Sequence, residues 1–240
     1  MDEVQDRIYR ISAYVDEFGI SFNQFLLKDK KPMLIHTGPI GMFEAVEERV
    51  REVIDPARLR YVTLLHFESD EWGGMQFLKS PNAELICSRA SSILNLSGWY
   101  NLPKDHKGMW EGQRLSLGQM KVRFLMTPHV HHWDSMMVFE ETNRALFPSD
   151  LFLTQGRGRP VENDPALADG MIEQYRNVGI FGSEKPVRDL LPRLERLRPK
   201  MIHGMHGSSL DSSVHPAFFE KLRADDFAYR NYLFYEKVVG

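Results

Sequence analysis

Four side chains able to bind a metal ion, His66, Glu68, Asp70 and Glu71, fall within six consecutive residues. They follow Tyr61-Val62-Thr63-Leu64-Leu65, an apolar, β-prone run of the kind that makes a buried strand. Gly73-Gly74 then lets the backbone turn. Carboxylates beside a core are expensive to desolvate, and a bound cation offsets that expense. Side chains two apart in an extended segment share one face, so His66, Glu68 and Asp70 are expected to converge on one point. Three further segments each place a ligand-type residue just after an apolar run: His131, Asp150 and His206. Asp150 stands on a loop of its own and has two oxygens, so it could serve two cations at once. Nitrogen and oxygen donors without a thiolate suit iron, manganese or zinc, and exclude none of the three.

These side chains need a scaffold. Residues 7–15, 20–27 and 32–36 read as strands, and Met42, Ala45, Val46, Val50, Val53 and Ile54 recur at helical spacing before Pro56. A short helix is expected from Gly74, a strand over 84–87 and a helix around 91–96. A strand over 120–126 ends in Thr127-Pro128, and a hairpin over 135–139 and 144–147 delivers Pro148-Ser149-Asp150. Helices are expected over 165–177, 187–197 and 216–235, with a short strand at 200–202 ending in His203-Gly204-Met205-His206-Gly207. Strands mixed with helices in two halves suggest sheets covered by helices on their outer faces. Gly156-Arg157-Gly158-Arg159-Pro160 is read as a loop beside the site.

Composition narrows the function classes. A chain of 240 residues with 42% hydrophobic content can build a sizeable core. A net charge of −3 leaves no basic footprint for nucleic acid. There is no apolar run of about 18 residues, so no membrane span is expected. The polar amino terminus argues against a signal peptide, and the single Cys87 cannot form an internal disulfide, which together fit a cytoplasmic location. Cys87 lies in an apolar run and is expected to pack rather than react.

Taken in order, His66-x-Glu68-x-Asp70, a histidine after Thr127-Pro128, Ser149-Asp150 and His206-Gly207 resemble the metallo-β-lactamase fold in its flavodiiron branch. The resemblance implies an α/β (α+β) fold, a four-layer αββα sandwich, with residues 1–240 as one domain. It also implies a non-haem diiron site. Carried over position by position, one iron would be held by His66, Glu68 and His131, the second by Asp70 and His206, with Asp150 bridging. The pair would be oxo- or peroxo-bridged when oxidised, with zinc or manganese as substitutes. Two-zinc hydrolases of the fold typically carry a histidine where this chain has Glu68, and a carboxylate is the harder, anionic donor that suits oxidised iron. Alignment between Thr127-Pro128 and Trp133-Asp134-Ser135 without a gap favours His131 as the ligand, with His132 the alternative. His129 could orient a ligand or be a satisfied strand-end residue. The His206-Gly207 pair favours His206, leaving His203 a metal, second-shell or structural candidate. Ser149 and Asp134 are candidates to orient ligands.

Two departures from the family pattern matter. A histidine usually follows the aspartate of the first motif, where this chain has Glu71. Glu71 either binds the second iron, holds a water, or points away and leaves a coordination position open. Flavodiiron enzymes also carry a fused flavodoxin-like domain, for which no stretch remains before Gly240, so no FMN is expected in this chain. The residues look closer to stand-alone oxygen-binding diiron proteins, some of which are oxygen sensors in bacterial chemotaxis. The expected function is therefore binding or reduction of dioxygen, with nitric oxide as a related ligand. A signalling partner such as a chemotaxis component and a homodimer are expected partners. The alternatives are a dinuclear zinc hydrolase, or an oxygen or nitric oxide reductase with an external electron donor. Trp72, Trp99, Trp110, Trp133 and Phe67 would ordinarily be core; where Trp72 and Phe67 line the pocket, they would exclude water from it.

Overall fold

A computed structural model describes residues 1–74, 82–95 and 106–230. The first sheet has seven strands in sequence order: β1 (Asp2–Gln5), β2 (Ile8–Val15), β3 (Ile20–Leu27), β4 (Met33–Ile35), β5 (Tyr61–Thr63), β6 (Glu84–Ser88) and β7 (His106–Met109). Its first four strands pair antiparallel, and β4 to β7 pair parallel. The second sheet has six strands in the order β13-β12-β11-β10-β9-β8. These are β8 (Arg114–Ser116), β9 (Lys121–Met126), β10 (Met136–Glu140), β11 (Ala145–Phe147), β12 (Met201–His203) and β13 (Ser209–Asp211). Only β11 and β12 pair parallel in this sheet.

The alternation of strand side chains produces four layers. Phe25, Leu27, Met33, Ile35 and Ile86 of the first sheet meet Val122, Phe124, Met136, Val138 and Phe147 of the second in one buried cluster. On the outer face of the first sheet, Leu26, Leu34, Val62 and Leu85 pack against Val46 and Val50 of α1 (Phe43–Arg51). On the outer face of the second, Leu125, Met137, Phe139 and Leu146 pack under α3 (Leu167–Val178), α4 (Lys185–Leu197) and α5 (His215–Ala224). Each fully buried Leu, Ile or Phe contributes about 1.5–3 kcal/mol, so the two outer clusters fix the helices to the sheets. The result is an αββα sandwich. No described helix is long and apolar enough to cross a membrane.

Several expectations are corrected. His66, Glu68 and Asp70 do not share one extended segment: β5 stops at Thr63, and Ser69–Trp72 forms a single helical turn, α2. That turn ends where Gly73 lies against its neighbours; a Cβ there would come within 2.5 Å of the Ile40 nitrogen and 2.6 Å of the Ser69 oxygen. Residues 91–95 form one π-helical turn. The last helix ends at Ala224 instead of running to 235, and residues 231–240 lie outside those described, as do the helix expected just after Gly74 and Trp99. Trp110 and Trp133 are exposed at 59% and 38%, so neither is core. Cys87 is buried as expected, and burial next to Asp134 pushes its thiol up to about 12.

Candidate metal centre

The site lies where chain segments leave the strands. His66 follows β5 after two buried leucines, and α2 carries Asp70 and Glu71. The turn after β9 carries His131, Ser149-Asp150 follows β11, and His206 follows β12. Ligand atoms of His66, Glu68, His131 and Asp150 all lie within 4.8 Å of one another and could hold a metal ion. His66 Nε2 is 2.9 Å from Glu68 Oε2 and 3.3 Å from Asp150 Oδ2, and His131 Nε2 is 2.7 Å from the same Asp150 oxygen. Beside this group, His206 Nε2 lies 3.2 Å from the other oxygen of Asp150, Oδ1, and 3.5 Å from Asp70 Oδ2. Asp150 thus turns one oxygen to each side.

The chain builds this arrangement with backbone anchors. The Tyr175 hydroxyl on α3 donates to the Asp150 carbonyl. His206 Nδ1 donates to the Ser21 carbonyl at 3.1 Å, which leaves Nε2 as its donor atom. Gly207, at φ +76°, has room only for hydrogen: a Cβ would lie 2.1 Å from both the carbonyl and the hydroxyl oxygen of Thr154. Gly158 of the 156–160 loop packs on Gly207, which places that loop beside His206.

Charge in the site is balanced by these contacts. Burial raises the Asp150 carboxyl, but His66, His131 and His206 outweigh it and hold the group well below the usual carboxylate range. Burial lowers His66 and His206, but their carboxylate partners outweigh it: Glu71 and Asp150 put His66 well above its ordinary value, and Asp150 and Asp70 raise His206 to about 9. The His66 contact lowers Glu68 despite partial burial. Burial and Asp150 raise Asp70, and burial raises the Glu71 carboxyl well above the usual carboxylate range although His66 opposes it. Asp70 Oδ1, Asp150 Oδ1 and both Glu71 oxygens are buried without an aligned hydrogen-bond donor. Orphaned carboxylate oxygens beside imidazole nitrogens suit cations, so the donor set fits metal on both sides of Asp150.

The other candidates fall elsewhere. His132 is tied to Asp134 Oδ1 at 2.5 Å, and Ser91 also donates to Asp134. His129 is exposed at φ +66°, a turn residue whose N–H donates to the His132 carbonyl, and it does not join the cluster. Of the alternatives open for His203, the ligand role is set aside: its ring nitrogens pair with Ser209 and Gln5 inside the sandwich, which makes it structural. Phe67 and Trp72 stack at 4.5 Å and pack on the α1 cluster, which makes them packing residues. Ser149 Oγ lies 2.6 Å from His66 Nδ1. Sequence reasoning passed over His36, whose one signal was its place directly after the buried run Met33–Ile35. It lies behind His66 and beside Glu71.

Residues 20–207 match the family model described as ODP family beta lactamase. The chain belongs to this family. Among curated relatives of this ODP-family chain, the anaerobic nitric oxide reductase flavorubredoxin of Salmonella arizonae is 30% identical over 184 residues, covering 73% of the chain and 38% of the relative. The flavo-diiron protein FprA2 of Clostridium acetobutylicum is 33% identical over 139 residues, covering 56% of the chain and 34% of the relative. The chain spans half or less of the length of such relatives. The fold is that of the rubredoxin oxygen:oxidoreductase from Desulfovibrio gigas, with a TM-score of 0.83 at 20% identity over 92% of this chain and 60% of that one. The flavodiiron protein of Giardia intestinalis superimposes similarly, with a TM-score of 0.82 at 19% identity over 92% of this chain and 58% of that one. The ODP-family chain therefore sits in the flavodiiron branch of the metallo-β-lactamase fold.

Proposed function

We propose that this chain is a non-haem diiron protein that binds dioxygen or nitric oxide. The observation that carries the reading is Asp150, with Oδ2 2.7 Å from His131 Nε2 and Oδ1 3.2 Å from His206 Nε2. One metal would be held by His66, Glu68 and His131, the other by Asp70 and His206, with Asp150 shared. Iron held by these residues would supply electrons and open positions for a diatomic ligand. The chain's own residues fix the rest. Glu68, with a side chain 46% exposed, places an anionic donor at the solvent side, while His66 and Asp150 at 0% and 7% seal the interior side. Such burial strengthens each charge contact relative to water.

An oxygen sensor or oxygen-binding protein, cytoplasmic and coupled to a signalling partner, is the form of this reading supported by the resemblance of Thr127-Pro128-His129-Val130 and Phe139-Glu140-Glu141-Thr142 to stand-alone oxygen-binding diiron proteins. A second reading, an oxygen or nitric oxide reductase fed by an external donor, is favoured by the relationship to the Salmonella arizonae nitric oxide reductase flavorubredoxin. A two-zinc hydrolase is disfavoured by Glu68 in the ligand group. The test is metal analysis and an optical spectrum of protein loaded with iron anaerobically and then exposed to air. About two irons per chain and a new visible band are expected; turnover with added reductant selects the reductase. Two zincs taken up in preference to supplied iron, with ester hydrolysis and no band, would overturn the proposal.

A further inference from the structure

We propose that Glu71, where the flavodiiron pattern has a histidine, is a positioning residue whose carboxylate joins the Nδ1 atoms of His36 and His66 and so directs His66 Nε2 at the metal. The inference rests on the metal-centre reading above and concerns how this chain holds one of its ligands.

The argument is one of tautomers. His36 Nε2 accepts the Leu65 backbone N–H at 3.0 Å. A neutral imidazole has one N–H, so the His36 proton is on Nδ1. That atom lies 3.3 Å from Glu71 Oε1. His66 Nε2 faces Glu68 and Asp150, so metal binding there leaves the His66 proton on Nδ1. His66 Nδ1 lies 2.8 Å from Glu71 Oε2. One carboxylate oxygen therefore faces each ring nitrogen. Neither contact is aligned as a hydrogen bond, and His36 Nδ1 and both Glu71 oxygens are all buried orphans. Pairing the three groups with one another would relieve three buried unpaired atoms in a site 2% exposed at Glu71, where each is costly if left unpaired. The Glu71 backbone is already pinned, because its carbonyl accepts from Thr37 N–H at 2.6 Å and from the Thr37 hydroxyl at 3.1 Å.

The competing partner is Ser149, whose Oγ is 2.6 Å from His66 Nδ1. A hydroxyl can accept that N–H but carries no charge, whereas a carboxylate behind a ligating imidazole strengthens it as a donor, and losing such a partner typically weakens metal binding about 10–100-fold. With both oxygens committed to imidazoles, Glu71 does not serve the Asp70–His206 side.

The test is cobalt binding by the apo protein, in competition with a chelator. Wild type is expected to take two ions, and Glu71→Gln to keep two while weakening one about 10–100-fold. The same loss is expected when Glu71→Gln is combined with His206→Ala, in which only the His66 side binds, and Ser149→Ala is expected to lose less. A fall from two ions to one in Glu71→Gln would instead make Glu71 a direct ligand and overturn the proposal, as would unchanged affinity. Long-range proton–nitrogen spectra of the zinc-loaded wild type give a readout that needs no variant: both His36 and His66 should carry their protons on Nδ1, and an Nε2–H on His36 overturns the proposal. Failure of wild type to bind cobalt or zinc overturns the metal centre itself, a result distinct from normal binding that Glu71→Gln leaves unchanged.

Discussion

The hydroxyl of Tyr175 reaches from α3 to the backbone of Asp150, donating to its carbonyl at 3.0 Å while accepting the Phe152 N–H at 2.8 Å. The loop that presents the shared carboxylate is thus fastened to a helix of the outer layer, and burial pushes the Tyr175 hydroxyl far above its usual value, so it stays a donor. Tyr175→Phe leaves two buried backbone groups unpaired. A loss of about 2 kcal/mol is expected, corresponding to a fall of about 4–8 °C in Tm for a chain of this size. Thermal melts of apo and metal-loaded protein check this, with the larger loss expected in the loaded form.

Asn23 holds the opposite side of the site. Its Nδ2 donates to the carbonyls of Gly204 at 3.0 Å and Gly207 at 2.9 Å, and the buried Arg10 also donates to Gly207 at 2.7 Å. Asn23→Ala frees the turn that carries His206. Metal stoichiometry is expected to fall from two toward one per chain, because the His66–Glu68–His131 group does not depend on this turn.

Metal binding should release protons. His206 is raised to about 9 and His66 stands well above its ordinary value, so both are charged at neutral pH without metal, yet a ligating imidazole must be neutral. Apparent affinity is expected to rise with pH between 6 and 9, about tenfold per pH unit for each proton released, and to rise less steeply above about 9, where His206 has lost its proton and no longer contributes. Zinc titrations in two buffers of different ionisation enthalpy measure the proton count, and a pH-independent affinity would contradict this charge balance.

His203 sets an acid limit on the fold. Burial, with Arg10 and His215 adding to it, lowers this histidine to about 3. A depressed folded value means that protons favour the unfolded chain. The stability His203 contributes is complete above the unfolded value near 6.5 and is lost as pH falls from there toward about 3. Denaturant unfolding of apo protein at pH 7 and pH 5 should show wild type losing more stability than His203→Asn over that interval.

Much of the interior was legible from sequence, since apolar runs such as Tyr61–Leu65 and Met120–Met126 mark buried strands whatever their partners. The four strands that no such run announced, β1, β7, β8 and β13, are the four outer edges of the two sheets. Edge strands carry polar residues that blunt pairing with other chains, and only the neighbouring ladder makes them strands. The same holds for Asp70. Its type and place in the motif were readable, but it reaches His206 from a helical turn that closes at Gly73, where any Cβ would collide with the backbone of Ile40 and Ser69.

The order and chemistry of the donors, His66, Glu68, Asp70, His131, Asp150 and His206, belong to the sequence, because side-chain type alone decides which atoms can bind a hard cation. Which of the neighbouring histidines face the site was decided by tertiary structure. His131 turns toward Asp150, while His132 is claimed by Asp134, His203 by Gln5 and Ser209, and His36 stands behind His66 beside Glu71. Those partners lie up to 198 positions apart, and a buried ring nitrogen must pair with whatever polar atom the fold brings near it.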